Sequence, residues 1–507
     1  MEFWGISIEN FAQTIFEVKK MESIWRKTTT IPSHNNLEGD YETEVAVIGG
    51  GMAGILIAWL LRQQGKKVMV LEAARVGGGQ SQNTTAKITL QHGLIYDRLI
   101  TSFGEDKARQ YAIANQKALV AYRSIIQNRN IRCCFEDRPA YLYATKDATP
   151  LKREAEAAQS LGIKASFQRQ SDLPFSVAGA VEVAAQAQFH PLLFLQNLAA
   201  DLPVYERTRV ISVDENRINM DSGTITAQQI VFATHFPFIN TPGFYFLRMH
   251  QERGYVVALE NAAQLPGMYL GIDGDGLSFR NYGNLLLLGG GKHRTGENSS
   301  GGKYSMLEQK ASELWPNCRK VAAWSAQDCI SLDGVPYIGR FAAGKPNWYV
   351  ATGFGKWGMT GSMVSAMLIR DMICGRENVD GEIFSPQRFT VPQSAKNLLM
   401  ETSQAVQGLS RRFLEPPRDM AERLPRKHGG VVDYAGEKLG VYKDAWGELF
   451  VVDCRCPHLG CQLEWNPDEL SWDCPCHGSR FDYRGHLLDN PAQLSLSEGC
   501  FPPGGSV

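Results

Sequence analysis

The run Glu44-Val45-Ala46-Val47-Ile48 is apolar after its first residue and stops at three glycines, Gly49 to Gly51. An apolar pattern at helical spacing continues to Leu61, Gly65 interrupts it, and a second apolar run follows from Lys67 to Leu71. Strand, tight turn, helix and strand in that order make a βαβ unit. From about 104 to 161 charged and apolar residues alternate in a helix-like way. Between roughly 135 and 330 short strand-like runs recur at Val210–Val213, Gln229–Ala233, Tyr255–Leu259 and Asn284–Leu288. Gly, Asn and Asp turns part them, which predicts a mixed sheet layered on the first domain. Val350–Thr352 is a further short strand, Gly353 to Gly361 is glycine-rich, and Ser362 to Ile373 is helical.

The pattern then changes. Residues 376–428 hold charge pairs and Pro386, Pro392, Pro416, Pro417 and Pro425 without a sustained strand, as a linker does. From Gly429 strand-like runs return, with turns at Gly436, Asp444 and Gly447. The expected organisation is an N-terminal extension (1–40), a main domain (41–375) with an inserted part at about 135–330, the linker (376–428), a small all-β domain (429–496) and a tail (497–507). Ser495 to Val507 is rich in glycine and proline and is expected to be poorly ordered. Met21 offers an alternative start, so residues 1–20 carry no structural weight.

Composition adds limits rather than direction. With 507 residues, 44% apolar and 21% charged, the chain has the make-up of a globular protein of two or three domains. A formal net charge of −1 gives no field for nucleic acid. No apolar run approaches the ~18 residues of a membrane span; Leu285 to Leu288 reads as a buried strand. Glu2, Glu9 and Glu17 break the order a signal peptide needs, and the twin arginines Arg411-Arg412 are internal with no apolar stretch behind them. Of eleven cysteines, five (Cys454, Cys456, Cys461, Cys474, Cys476) crowd near the C-terminus. That clustering indicates a metal site in a reducing compartment, hence a cytoplasmic protein.

Gly49-Gly50-Gly51-Met52-Ala53-Gly54 is a G-x-G-x-x-G turn placed after a strand and opening a helix. Gly49 permits the tight turn, Gly51 lets a pyrophosphate approach the backbone, and Gly54 lets helix and strand pack. The helix N-terminus then offers free N–H groups to phosphate. Glu72, at the end of the second strand, can accept hydrogen bonds from a ribose diol. These residues do not separate FAD from NAD.

A resemblance does. Residues 44–95, with Leu71-Glu72-Ala73 and Gly77-Gly78-Gly79-Gln80-Ser81, resemble the D-amino-acid-oxidase-like family of FAD-dependent oxidoreductases. So do Asp333 to Gly339 and Ala351 to Gly358, and the likeness covers roughly 44–375. It implies a Rossmann-type FAD-binding domain with an inserted mixed-sheet substrate domain. It also implies non-covalent FAD, held further by Thr85, Ala86, Val210, Ala233, Thr234, Gly353 and Lys356. Lys87 could sit over the flavin ring as a catalytic group, although a structural lysine is equally compatible. Cys329 reads as a buried thiol, and His92 and His190 as packing or capping residues. The arginine that clamps a carboxylate in the family's amino-acid oxidases falls on Asp328. An acid there suits an amine or polyol, unless Asp328 faces elsewhere and another cation, such as Arg280, does the clamping.

Cys456-Pro457-His458 and Cys474-Pro475-Cys476-His477 give C-x-H and C-x-x-H. Two thiolates and two imidazoles, one of each per loop, are the ligand set of a Rieske-type [2Fe–2S] cluster. A Cys/His zinc site is the competing reading. The additional cysteine in each loop and the flanks His458-Leu459-Gly460-Cys461 and His477-Gly478-Ser479 weigh against zinc and resemble the Rieske proteins of respiratory complexes. That resemblance implies a small all-β domain, a Cys461–Cys476 disulfide, and Ser479 bonding a cluster sulfide. Phe481 replaces a tyrosine whose hydroxyl bonds a ligand sulfur, so a lowered potential is expected. Cys454 reads as packed rather than ligating.

The whole is α/β followed by β, and it resembles a bacterial group of amino-acid-oxidase-like flavoproteins fused to a Rieske domain, of undefined substrate. Thr84 to Thr89, Gln91-His92-Gly93 and Trp324 to Asp328 match that group. The resemblance implies oxidation of a small amine, amino acid or hydroxy compound by hydride transfer to flavin. Electrons would leave singly through the cluster to a soluble carrier, a ferredoxin, flavodoxin or cytochrome. The alternatives are inward electron flow from such a carrier, or a redox-sensing protein without a substrate.

Overall fold

The computed structural model describes residues 21–274, 276–388, 424–434 and 437–499. Two large sheets and a small β module organise them. The first sheet runs Tyr337–Arg340, Trp348–Thr352, Gly223–Phe232, Tyr41–Ile48, Val68–Leu71 and Val204–Tyr205, with two short strands, Val210–Asp214 and Arg217–Met220, hung on Gly223–Phe232. Tyr41–Ile48 lies centrally and runs parallel to both neighbours. Its residues from Val45 to Ile48 are buried, because a parallel strand covered on both faces has no polar side. Helices Met52–Arg62 and Gly358–Ile373 pack against each other beside this sheet.

The second sheet has nine strands, the longest being Gly179–Gln188, Met249–Glu260, Leu285–Arg294 and Arg319–Ser331. Leu285 to Leu288 is buried in a strand, as its composition demands. Two sequence expectations change here. The helix-like stretch from 104 to 161 is two helices, Glu105–Asn128 and Thr149–Ser160, separated by the strand Glu136–Ala144. Pairing with Gly179–Gln188 and Met268–Gly271 imposes strand on a segment whose local pattern is ambiguous. And Gly223–Phe232, inside the inserted stretch by sequence, is a central strand of the first sheet.

Residues 21–40 pack into the main body. Trp25, from the helix Ile24–Thr28, is fully buried and donates its indole N–H to the Thr84 carbonyl at 2.7 Å. Residues 376–388 also dock: Asp380 pairs with Lys117, and Arg388 binds Asp333 through two nitrogens at 2.8 Å. Arg411-Arg412, Pro392, Pro416, Pro417 and the turn at Gly436 lie outside the described residues.

The C-terminal module has a three-stranded sheet (His428–Tyr434, Glu437–Lys443, Leu449–Asp453) and a four-stranded one (Glu464–Asn466, Ser471–Asp473, Arg480–Asp482, Leu487–Asp489). The expectation of poor order for the tail fails at 495–499. Leu496 is buried there, and Asp453 and Gly499 exchange backbone hydrogen bonds with Ser497 and Val451. Apolar burial and ladder bonds outweigh the glycine content.

Candidate functional site

The turn after Tyr41–Ile48 is shaped by glycine. Gly49 has φ +109°, and a Cβ there would lie 2.4 Å from the Ala233 carbonyl oxygen. A Cβ on Gly54 would lie 1.9 Å from the Gly49 oxygen. Gly51 meets only the Ser81 hydroxyl, at 3.3 Å, and that hydroxyl accepts the Met52 N–H at 2.9 Å. Glu72 accepts the N–H groups of Gly50 and Ala74, each at 2.7 Å. Burial pushes its carboxyl up, and those two donors hold it down in part.

The turn opens onto a cavity of about 770 Å³, the size of a cofactor-plus-substrate site. Gly49, Gly51, Met52, Ala53, Glu72 and Ala73 line one end. Gly79, Gln80, Ser81, Thr85, Lys87, Val210, Ala233, Thr234 and Lys356 also line it. Four expected residues are not in its wall, each for a visible reason. Gly54 sits in the helix–strand contact, and Gly50 stands behind Glu72. Ala86 is fully buried and gives its carbonyl to Arg280, while Gly353 packs against Ser331 and Met249. The glycine cradle, the helix N-terminus and the acid on the second strand fit a dinucleotide.

In the cavity wall Lys87 donates to the Tyr269 carbonyl (3.1 Å) and the Ser278 hydroxyl (2.5 Å). Burial, with a smaller push from Arg280, lowers its ammonium to about 7. Asp328 also lines the cavity, and burial raises its carboxyl to about 6. Its strand neighbour Glu252 pairs with Lys356 at 2.9 Å. Against the upward push of burial, His250 and Lys356 hold Glu252 down to about 2. Arg280 is not in the cavity wall. Its guanidinium donates to the carbonyls of Thr85 and Ala86 at 2.7 and 2.8 Å and lies over Trp25.

His92 stacks on Trp357 and bonds Tyr111 and Thr89; burial lowers it to about 3, so it is neutral. His190 caps the helix Pro191–Ala199. Cys329 is buried, its thiol directed at the His235 carbonyl.

The cluster loops repeat one local turn. Gly460 N–H returns to the Cys456 carbonyl at 2.9 Å, and Gly478 N–H to the Cys474 carbonyl at 3.0 Å. Both glycines have positive φ, +79° and +82°. Cys461 and Cys476 form a disulfide across the loops. The sulfurs of Cys461, Cys474 and Cys476 lie within 4.8 Å of one another, but a disulfide sulfur is no thiolate ligand, so of these three only Cys474 can serve iron.

Cys456 and Cys474 share a hydrogen bond, which lowers the first thiol to about 7 and raises the second. The His458 and His477 rings meet edge to face at 4.9 Å. His458 Nε2 faces the Asn240 side-chain oxygen at 2.8 Å, so it carries the proton. Its buried Nδ1 is left without a hydrogen bond, and burial lowers the ring to about 4. A neutral imidazole with an unused buried lone pair, fixed from its other nitrogen, is what a metal ligand requires. Two such loops fit a [2Fe–2S] group. Ser479 faces Cys456, and Cys454 bonds the Lys438 carbonyl, away from the site.

The two sites meet. Leu487 to Asn490 and Gln493 of the small module complete the wall of the large cavity, and Gln80 donates to Asp489 at 2.8 Å. Asn490 donates to the carbonyls of Thr234 and Phe236. Arg253 pairs with Glu469, and Arg294 donates to the carbonyls of Pro475 and Cys476. Local sequence pattern carries no signal for these residues, because their partners lie more than 180 positions away.

A model of the family described as FAD dependent oxidoreductase matches residues 44–372, and one of the Rieske [2Fe-2S] domain matches 417–498. The chain is 35% identical over 500 residues to the "Putative Rieske 2Fe-2S iron-sulfur protein YhfW" of Bacillus subtilis (strain 168), covering 95% of this chain and 98% of that one. A stretch of 59 residues is 42% identical to the cytochrome b6-f complex iron-sulfur subunit 1 of the Cyanophora paradoxa cyanelle, 12% of this chain and 25% of that one. Among solved structures, glycine oxidase from Geobacillus kaustophilus superposes with a TM-score of 0.59 at 19% identity, over 69% of this chain and 99% of that one. L-proline dehydrogenase from P. horikoshii gives 0.58 at 16%, over 70% and 98%. At such identities the likeness is one of fold.

Proposed function

The chain belongs to the FAD dependent oxidoreductase family and ends in a Rieske [2Fe-2S] domain, and from that premise we propose a dehydrogenase that oxidises a small amine or hydroxy compound and exports the electrons singly to a carrier protein. Its cofactors are FAD and a Rieske-type cluster. When bound, the flavin supplies two-electron chemistry at a C–H bond and the cluster supplies one-electron transfer. The observation that carries the reading is the shared wall: Asp489 and Asn490, beside the cluster loops, close the cavity that the glycine turn opens.

The residues assigned to FAD are those of the cavity wall, with Glu72 toward the ribose and Lys356 and Trp357 toward the substrate end. Cys456, His458, Cys474 and His477 hold the cluster. Asp328 favours an amine or polyol, and Arg280, committed to backbone carbonyls, does not take the place of the carboxylate-clamping arginine of an amino-acid oxidase. Lys87, neutral above about 7, accepts a proton from the substrate amine or hydroxyl. The carrier is a ferredoxin, flavodoxin or cytochrome of the cytoplasm.

The test is anaerobic. Holo-protein is mixed with a panel of amines, polyols, amino acids and hydroxy acids while flavin absorbance and the reduced-cluster EPR signal are followed. One compound, an amine or polyol, is expected to bleach the flavin and raise the rhombic EPR signal together. Reduction by a reduced carrier alone would overturn the proposal in favour of inward electron flow.

A further inference from the structure

The edge of the small module that carries the cluster ligands is turned into the flavin domain. His477 is 4% exposed, and its ring lies 5.7 Å from Phe246 and 6.5 Å from Phe236. His458 Nε2 is taken by Asn240. Between this edge and the cavity lies the buried side chain of Gln251, on the strand Met249–Glu260. Its amide nitrogen donates to the backbone carbonyl of His477 at 2.7 Å and to that of Asn490 at 3.1 Å.

The other end of the same amide faces the flavin cavity. Gln251 Oε1 accepts from Gln327 Nε2 at 2.6 Å and meets His235 Nε2 at 3.1 Å. Gln327 and His235 both line the cavity. Gln327 Nε2 also donates to the Gly478 carbonyl at 2.8 Å, next to the ligand His477. The approach is close enough to dictate sequence on the far side: a Cβ on Gly478 would lie 2.6 Å from Gln251 Cβ. Every polar atom of the Gln251 amide is therefore spent on joining cavity wall to cluster loop.

We propose that Gln251, held by Gln327, is the positioning residue through which electrons pass between the flavin cavity and the cluster. The proposal rests on the flavin–cluster coupling put forward above and names the contact that carries it. One electron crosses from flavin to cluster, the donor oxidised by one equivalent and the acceptor reduced by one, with no heavy-atom bond made or broken. A contiguous hydrogen-bonded path couples the two ends better than a gap of the same length.

Anaerobic flash photolysis of the holo-protein with 5-deazaflavin and oxalate injects electrons into the FAD, and the return of flavin absorbance is timed against cluster reduction. In Gln251→Met, similar in length but without polar atoms, the intramolecular rate is expected to fall about tenfold or more, with cluster content and EPR line shape unchanged. Should that variant not retain its cofactors, Gln327→Met removes the donors to Gln251 and Gly478 and is read the same way. Asn298→Leu separates bridge from docking, because it removes the contacts of Asn298 to Asn466 and Asp468, which cross the same seam away from the cluster loops; its rate is expected to stay within twofold of the parent. Equal slowing in Gln251→Met and Asn298→Leu, or parental speed in Gln251→Met, would overturn the bridge. A parent protein that shows no flavin-to-cluster transfer at all would instead overturn the coupling on which the bridge depends.

Discussion

Phe481 is fully buried on the strand Arg480–Asp482, opposite Trp472. A hydroxyl donated to a ligand sulfur stabilises the more negative, reduced cluster, and phenylalanine offers none. Phe481→Tyr is therefore expected to raise the midpoint potential, with unchanged EPR g-values, in an anaerobic redox titration. A second residue-scale expectation concerns pH. Asp328 ionises above about 6 and Lys87 loses its proton above about 7. The rate of flavin bleaching by substrate should rise with pH through this window and level off above it. Lys87→Met should lower the plateau by ~10²–10⁴-fold, the usual contribution of a general base, and remove the upper inflection. A flat profile between pH 6 and 8 would exclude both groups. Identity at this scale was readable wherever a residue's chemistry is its function. Cys456, His458, Cys474 and His477 stood out as candidate ligands by residue type and spacing. Asp328 was ambiguous because its direction depends on strand register, and register with Glu252 is set by a strand some 75 positions away.

At the scale of elements, the strand–turn–helix at 41–62 separates two glycine roles. Gly54→Ala would place a methyl 1.9 Å from backbone, which no rotamer relieves, so the helix must leave the strand. Soluble yield and flavin content are expected to fall together. Gly51→Ala meets only a hydroxyl at 3.3 Å. That variant should fold with a parental melting temperature yet bind FAD about tenfold or more weakly, since the added methyl stands where the pyrophosphate approaches. Equilibrium flavin fluorescence checks it. This unit was legible because its turn chemistry, helix and strands are contiguous. The strand Glu136–Ala144 was not, since neighbours rather than propensity decide it. The ordered segment 495–499 was missed for the same reason: its partners, Val451 to Asp453, lie outside any local window.

At the scale of the whole molecule, a buried ion network welds the two domains. Arg253 of the flavin domain binds Glu469, which also meets Arg480 at 3.1 Å; Arg480 in turn holds Asp473 and Asp489 at 2.9 and 3.0 Å. Against the upward push of burial, Arg253 and Arg480 hold Glu469 down to about 2. Removing one member of such a network costs about 3–5 kcal/mol, because the remaining charge stays buried. Arg253→Ala should therefore lower the melting temperature and split thermal unfolding into two transitions, read by flavin fluorescence and by cluster absorbance. A single transition at the parental temperature would show that the network does not couple the domains.

By itself the sequence determined the cofactors and offered candidate residues to hold each. A glycine turn needs particular φ values and clearances, and an iron–sulfur centre needs particular atoms, so both write themselves into short contiguous motifs. It determined equally that a flavin domain precedes a cluster domain. Only the tertiary structure decided how the two meet: that Asp489 and Asn490 close the flavin cavity, that Arg280 is spent on backbone carbonyls, and that Gln251 joins cavity wall to cluster loop. Those contacts pair single residues more than 180 positions apart, except for Gln251 with Gln327 and with His235, which are 76 and 16 apart. Each is made by an ordinary amide, acid or guanidinium that has no signature until the chain folds around it.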